Sequence, residues 1–240
     1  MSGTSRFTPP SGRPLGRTLL TLVGACLLIC ALLVGVGWLI THPLKSTMAH
    51  ENQVNTWFAD QRTPDLTKAA DLGTLVGQTL TGAIALVVVG VVFAVWKRTW
   101  WPLLFVGALD AGLGLFYLAG TTLDPRQRPP VHILQSGLVP DHSFPSGHTG
   151  TALAIGGSLA ALLWAYTRVS GAVIALLVVI PVFTMLARLY EGAHHVSDVL
   201  SAFLAASAWL LVCASLLLPH RHTEAEPTAV AGEDTRRVAA

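Results

Sequence analysis

Charge is what this chain has least of. Only 12% of its 240 residues are Asp, Glu, Lys or Arg, against about 25% in soluble domains, while 52% are hydrophobic. That deficit leaves little room for a separate soluble domain and predicts an integral membrane protein. A basic stripe is also missing, and with a net charge of +2 nothing points to nucleic acid. Cysteine is scarce too: Cys26, Cys30 and Cys213 all lie in apolar runs, which reads as neither a disulfide framework nor a metal site. No internal repeat is evident.

What the chain does have is a series of long apolar runs separated by polar intervals. Residues 1–15 are polar and proline-bearing, and are expected to form a disordered cytoplasmic tail. The run Leu19–Ile40 exceeds the hydrophobic region of a signal peptide and is closed by no clear small-residue cleavage site, which predicts a retained span. In the polar interval that follows, Val54, Trp57 and Phe58 share one helical face, with Asn55 and Asp60 turned elsewhere and Glu51 near the edge. This predicts an extracytoplasmic amphipathic segment at about 46–62, lying at the interface and broken by Thr63-Pro64-Asp65. Further spans are predicted at about 74–96, 102–119, 147–166 and 172–189, the last carrying a kinking Pro181, and after residue 198 to 218. The expected fold is all-α: a polytopic membrane bundle of six transmembrane helices over 16–218, with a second disordered cytoplasmic tail at 219–240.

Six spans put both termini on one side. That side carries nine of the fifteen Lys and Arg residues, and three of the other six lie in the candidate site described next. The positive-inside rule then places both termini in the cytoplasm and the polar clusters 120–148 and 188–198 on the outer face. The expected localisation is multi-pass in a bacterial plasma membrane.

The chemistry gathers in Arg188–Asp198, R-L-Y-E-G-A-H-H-V-S-D. Ionisable groups at membrane depth cost roughly 2.5–3.5 kcal/mol each unless they line a polar cavity. The stretch reads either as an ordinary polar loop or as a site. Two further fragments on the same face favour a site: Arg128-Pro129 and Pro145-Ser146-Gly147-His148. Together they suit a phosphate. Ser146 stands where a helix begins, and helix N-termini offer free N–H groups and a positive dipole end. Gly147 permits close backbone approach. Arg128 and Arg188 carry forked, permanently charged donors. His194 and Asp198, four apart, share a helical face, so Asp198 is expected to hold one ring nitrogen and leave the other free to attack phosphorus. His148 would then protonate the leaving group and later activate water. His148, His194, His195 and Asp198 are also plausible metal ligands, but two arginines beside a dication are electrostatically poor, so neither metal nor cofactor is expected. His195 is given a supporting or rim role, and His132 and His142 are read as solvated loop residues. Asp110 lies mid-span and is either functional or simply hydrogen-bonded between helices.

The three fragments, in this order, resemble the type 2 phosphatidic acid phosphatase superfamily of integral membrane lipid phosphatases. Its pattern is a lysine, six residues and R-P; then P-S-G-H; then S-R, five residues, H, three residues and D. The resemblance implies His194 as nucleophile, Asp198 as its orienting partner and His148 as general acid, with Arg128, Ser146, Gly147 and Arg188 binding phosphate. Two positions depart from the pattern. Thr121 stands where the lysine belongs, with Arg126 a nearby candidate for part of its role, and Ala187 replaces the serine. The implied activity is metal-independent hydrolysis, at the outer leaflet, of a lipid phosphate monoester or diphosphate: polyprenyl diphosphate, phosphatidic acid or phosphatidylglycerol phosphate. Vanadium-dependent haloperoxidases share the superfamily, but they are soluble and use the lysine that is missing here. The other reading is a non-catalytic membrane protein that binds or transports phospholipid with a degraded site. The expected partners are a membrane lipid substrate and the bilayer; the sequence fixes no oligomeric state.

Overall fold

The computed structural model describes residue 10 and residues 12–220, so two-thirds of the expected tail at 1–15 and nearly all of that at 219–240 lie outside the described residues. Among the described residues nine helices follow one another: α1 (Leu15–Thr41), α2 (Lys45–Met48), α3 (Glu51–Asp60), α4 (Pro64–Gly77), α5 (Thr79–Lys97), α6 (Trp101–Leu123), α7 (Gly147–Tyr166), α8 (Gly171–Tyr190) and α9 (Val196–Leu217). No strand occurs among the described residues. Six helices, α1 and α5 to α9, are long and apolar enough to cross a membrane. Their outward surfaces carry side chains such as Leu20, Leu80, Val95, Leu176 and Leu211, each about two-thirds exposed or more. Apolar surface on that scale is stable only against hydrocarbon, so the chain is a multi-pass integral membrane protein of the expected all-α class.

The bundle is organised around α7, the most buried of the spans. It packs on α4, α5, α6, α8 and α9. Its composition explains this: G-H-T-G-T-A-L-A-I-G-G-S is a run of small residues that lets neighbours approach on several sides. Gly156 lies so close to α8 that a Cβ there would sit 2.6 Å from the Leu177 carbonyl. The same device joins α6 to α9, where Gly112 accommodates the Trp209 indole. The Trp209 N–H is shared between the carbonyls of Ala108 (3.1 Å) and Leu109 (3.2 Å). The C-terminal ends of α1, α6 and α8 and the N-terminal ends of α5, α7 and α9 meet at one end of the bundle, and the site lies there.

Two expectations about this end are corrected. The predicted span at 74–96 is two helices, because the chain turns at Gln78 into extended backbone (φ −64°, ψ 140°). The turn wraps around the start of α7: a Cβ on Gly77 would lie 2.8 Å from the His148 carbonyl. The small residues on either side of the turn made the run read as continuous. The span predicted at 102–119 continues to Leu123, which brings Thr121 into a helix. The amphipathic segment expected at about 46–62 falls on α2 and α3. Asn55 is fully buried against the protein, whereas Val54 and Trp57 are 37% and 58% exposed. The polar edge of α3 docks on the bundle, Val54 and Trp57 are turned outward, and Phe58 packs beside Ala70, Ala187 and Tyr190.

Candidate active site

Two loops and three helix ends build the site. The loop after α6 runs back on itself: the Arg126 N–H donates to Asp141 O (2.8 Å), the Ser143 N–H to Arg126 O (3.0 Å) and the Arg128 N–H to Pro140 O (3.1 Å). This isolated bridge carries the chain through a cis Phe144–Pro145 peptide to Ser146, which caps α7. Its hydroxyl accepts from the Thr149 N–H (3.4 Å) and from the Thr149 hydroxyl (3.0 Å). The second loop, 191–195, turns at Gly192 (φ +74°), where a Cβ would also lie 2.6 Å from Val131 Cγ2. A left-handed backbone with no space beside it accounts for the glycine in E-G-A-H-H.

Arg128, Ser146, Gly147, His148 and His194 line a single cavity of about 270 Å³, together with Asp110, Tyr117 and His142. Thus Arg128-Pro129, P-S-G-H and His194 do converge. His142, read from the sequence as solvated, is part of the wall, and Asp110 reaches it from the middle of α6.

Arg128 ties the loops together. Its Nε donates to Val139 O (2.9 Å), Nη1 to Ala193 O (2.7 Å) and Nη2 to His142 O (3.1 Å). Three of five N–H groups are used and two remain for an anion. Its burial lowers the guanidinium pKa, while Tyr117, Asp198 and Asp141 act in the opposite direction.

Arg188 is fully buried near the end of α8. One terminal nitrogen donates to Thr74 Oγ1 (2.8 Å) and to Glu191, and the Thr74 hydroxyl donates to the other Glu191 oxygen (2.7 Å). Its Nε and Nη2 have no partner. A buried guanidinium with two orphaned donors is costly unless an anion completes it. Arg188 does not line the cavity as found, but it acts electrostatically on both His148 and His194. Burial raises the Glu191 carboxyl pKa, and Arg188 and Thr74 pull it back.

The histidine geometry differs from the expected pair. His194 Nδ1 lies 2.7 Å from the Ser143 carbonyl and 3.9 Å from Asp198 Oδ2. The direct His194–Asp198 hydrogen bond is therefore absent, because α9 starts at Val196 and turns Asp198 back to its own cap. Asp198 Oδ2 accepts from the His195 N–H (2.8 Å) and the Ser143 hydroxyl (2.6 Å), and faces His195 Nδ1 at 3.2 Å. Arg126 ion-pairs with Oδ1. Asp198 thus holds the residue whose carbonyl holds His194, and His195 supports the carboxylate.

A carbonyl oxygen can only accept, so Nδ1 of His194 carries the proton and Nε2 keeps its lone pair. Burial, reinforced by Arg188, lowers the His194 pKa well below 6.5 and keeps the ring neutral, with Asp198 acting in the opposite direction. A neutral, oriented imidazole beside an anion cradle can act as a nucleophile. Across the cavity His148 Nε2 is buried without a partner, placed to exchange protons with whatever enters.

Two auxiliary residues are not where the spacing suggested. Arg126 pairs with Asp198, the Ser197 hydroxyl (2.6 Å) and Glu51 (3.4 Å), so it anchors the carboxylate, and it does not line the cavity. Thr121 is buried, and its hydroxyl turns back onto Tyr117 O (2.9 Å) and Leu118 O (3.3 Å) of its own helix.

Other residues were missed. Glu51 of α3 accepts from the Ser197 N–H (2.6 Å) and hydroxyl (2.8 Å), capping α9 from another segment. Asn55 Nδ2 donates to the His194 carbonyl at 2.9 Å. Only the acid and amide lying off the Val54–Trp57–Phe58 face of the helix hinted at this. Among the described residues no cluster of three or more potential ligands is arranged to hold a metal ion.

These features define a polytopic membrane protein with an arginine- and histidine-lined pocket at one end of its bundle. The sequence model of the PAP2 superfamily matches residues 99–221, and the chain belongs to that superfamily. The crystal structure of a transmembrane PAP2-type phosphatidylglycerolphosphate phosphatase from Bacillus subtilis is similar, with a TM-score of 0.65 and 23% identity over 80% of this chain and 94% of that one. At that identity the likeness speaks for the fold. No curated protein matches the sequence.

Proposed function

We propose that this protein is a membrane lipid phosphatase that cleaves a lipid phosphate monoester or diphosphate through a phosphohistidine on His194. The observation that carries this reading is the Ser143 carbonyl 2.7 Å from His194 Nδ1, which commits the ring to one tautomer and aims Nε2 at the cavity. Nε2 attacks phosphorus, and the P–O bond to the leaving group breaks. His148, protonated as the anion enters, gives its proton to the departing oxygen. The neutral His148 then takes a proton from water, whose oxygen displaces His194 and releases phosphate. Arg188, with two unsatisfied donors, Arg128 and the start of α7 stabilise the phosphoryl oxygens. Asp198 fixes the framework that aims His194.

The guanidiniums supply the positive charge that a metal provides elsewhere, so the reaction is read as metal-independent. Apolar residues of α1, α6 and α9 also line the cavity, which favours a substrate whose chain stays in hydrocarbon. Candidates are phosphatidic acid, polyprenyl diphosphate and phosphatidylglycerol phosphate, the last also suggested by the Bacillus subtilis structure. The excess of Lys and Arg on the terminal side favours an outward-facing site.

The test is phosphate release from this panel in detergent with EDTA present. Turnover that survives EDTA and vanishes in His194→Ala supports the reading. A strict requirement for added dication, or a His194→Ala protein with normal turnover, overturns it.

A further inference from the structure

Arg126 pairs with Asp198, Glu51 and Ser197, Thr121 bonds its own helix, and neither lines the pocket. One turn before Thr121, Tyr117 faces the cavity wall alongside Arg128, Gly147, His148 and His194. Its ring lies against the first residue of α7: a Cβ on Gly147 would sit 3.2 Å from Tyr117 Cδ2 and 3.3 Å from Cε2. Gly147 is therefore small where the phenol must approach the helix terminus. The side chain is 38% exposed, so it is not core filling. It is close enough to Arg128 to act electrostatically on that guanidinium. Among the described residues, no hydrogen bond to its hydroxyl is present. An unpartnered phenol on the wall of a pocket that also holds Arg128 and His194 leaves its O–H for whatever enters.

We propose that Tyr117 is a substrate-contacting residue whose phenol donates a hydrogen bond to the phosphate held between Arg128, the start of α7 and His194. This rests on the phosphate-cleaving reading above and adds to it a neutral third donor from α6. A phenol contributes a hydrogen bond without a positive charge, so the pocket orients the phosphoryl oxygens while adding less electrostatic neutralisation than a third cation would.

The test uses full-length protein in detergent and the variant Tyr117→Phe, which keeps the ring against Gly147 and removes only the hydroxyl. Two readouts separate this proposal from the reading it rests on. The first is thermal stabilisation by inorganic phosphate, which needs no turnover. The apparent phosphate affinity is expected to fall about ten- to a hundredfold in Tyr117→Phe, the loss expected for one hydrogen bond to a charged group, with the midpoint in phosphate-free buffer unchanged. The second is hydrolysis of phosphatidic acid, where kcat/KM is expected to fall by a similar factor. Equal phosphate stabilisation in the two proteins overturns the role of Tyr117 whatever the turnover. If wild-type protein hydrolyses none of the panel yet Tyr117→Phe loses phosphate binding, the catalytic reading fails and the contact stands. A variant with a lowered phosphate-free midpoint would instead mark the hydroxyl as structural and overturn the proposal.

Discussion

The ring of His194 is held by a main-chain oxygen: its Nδ1 lies 2.7 Å from the carbonyl of Ser143, a residue 51 positions earlier. The Ser143 hydroxyl is in turn 2.6 Å from Asp198. The acid therefore acts on the imidazole through an intermediary and through the local field. The same loop that caps α7 sets the tautomer of the residue facing it.

Burial of a neutral His194 has a pH signature. The folded pKa is depressed below 6.5, so below that pH the unfolded chain takes up a proton that the folded chain does not hold. Stability is expected to decline as pH falls through about 6.5, whereas the His194 ring stays uncharged on the acid side of neutrality. Melting in detergent between pH 8 and 5 should show a shallower decline in His194→Gln than in wild type. Identical slopes would contradict a buried neutral ring.

Asp198→Asn should impair both folding and turnover. It removes the closer of two carboxylate partners of the mostly buried Arg126 and weakens the hold on Ser143 and the His195 amide. Breaking a buried pair from one side costs about 3–5 kcal/mol. Denaturation in detergent measures the first effect and phosphate release the second.

Arg188→Lys separates charge from geometry. A lysine can keep the contact to Glu191 and Thr74, but it cannot also present two further donors in a plane. Inhibition by inorganic phosphate is expected to weaken by roughly tenfold or more while the protein remains folded. Near-wild-type inhibition would show that the orphaned nitrogens do not meet the anion.

Gly192→Ala should destabilise the chain by more than about 1 kcal/mol, because it combines a left-handed backbone with a 2.6 Å approach to Val131. Thermal unfolding checks this, and an unchanged midpoint would mean the loop can relax.

The six spans were legible because hydrocarbon imposes one strong rule, a long uncharged run per crossing, and α7 was predicted at its observed limits. The pocket residues His148, His194, Arg128, Ser146 and Gly147 were legible because the fragments that carry them have fixed internal spacing. Less visible were partners that leave no side-chain signature. Any residue can contribute the carbonyl that holds His194, and Glu191 sat unremarked within the central stretch. The turn at Gln78 hid among small residues that suit helix and turn alike. Arg126 was misplaced for a related reason: proximity in sequence to Arg128 says nothing about which acid lies nearest in space.

Asn55→Ala removes the 2.9 Å contact from α3 to the His194 carbonyl. It is expected to lower kcat several-fold with KM little changed, since the substrate is not touched. A loss confined to KM would argue against a positioning role.

The docking of α3 by its polar edge carries a last consequence. Glu51 and Asn55 grip the start of α9 and the His194 backbone while Val54 and Trp57 are turned outward, so one short rod links an exposed apolar edge to the imidazole in the pocket. On the phosphatase reading proposed above, lipid packing against that edge would bear on how the ring is aimed, and turnover is then expected to differ between thick and thin bilayers.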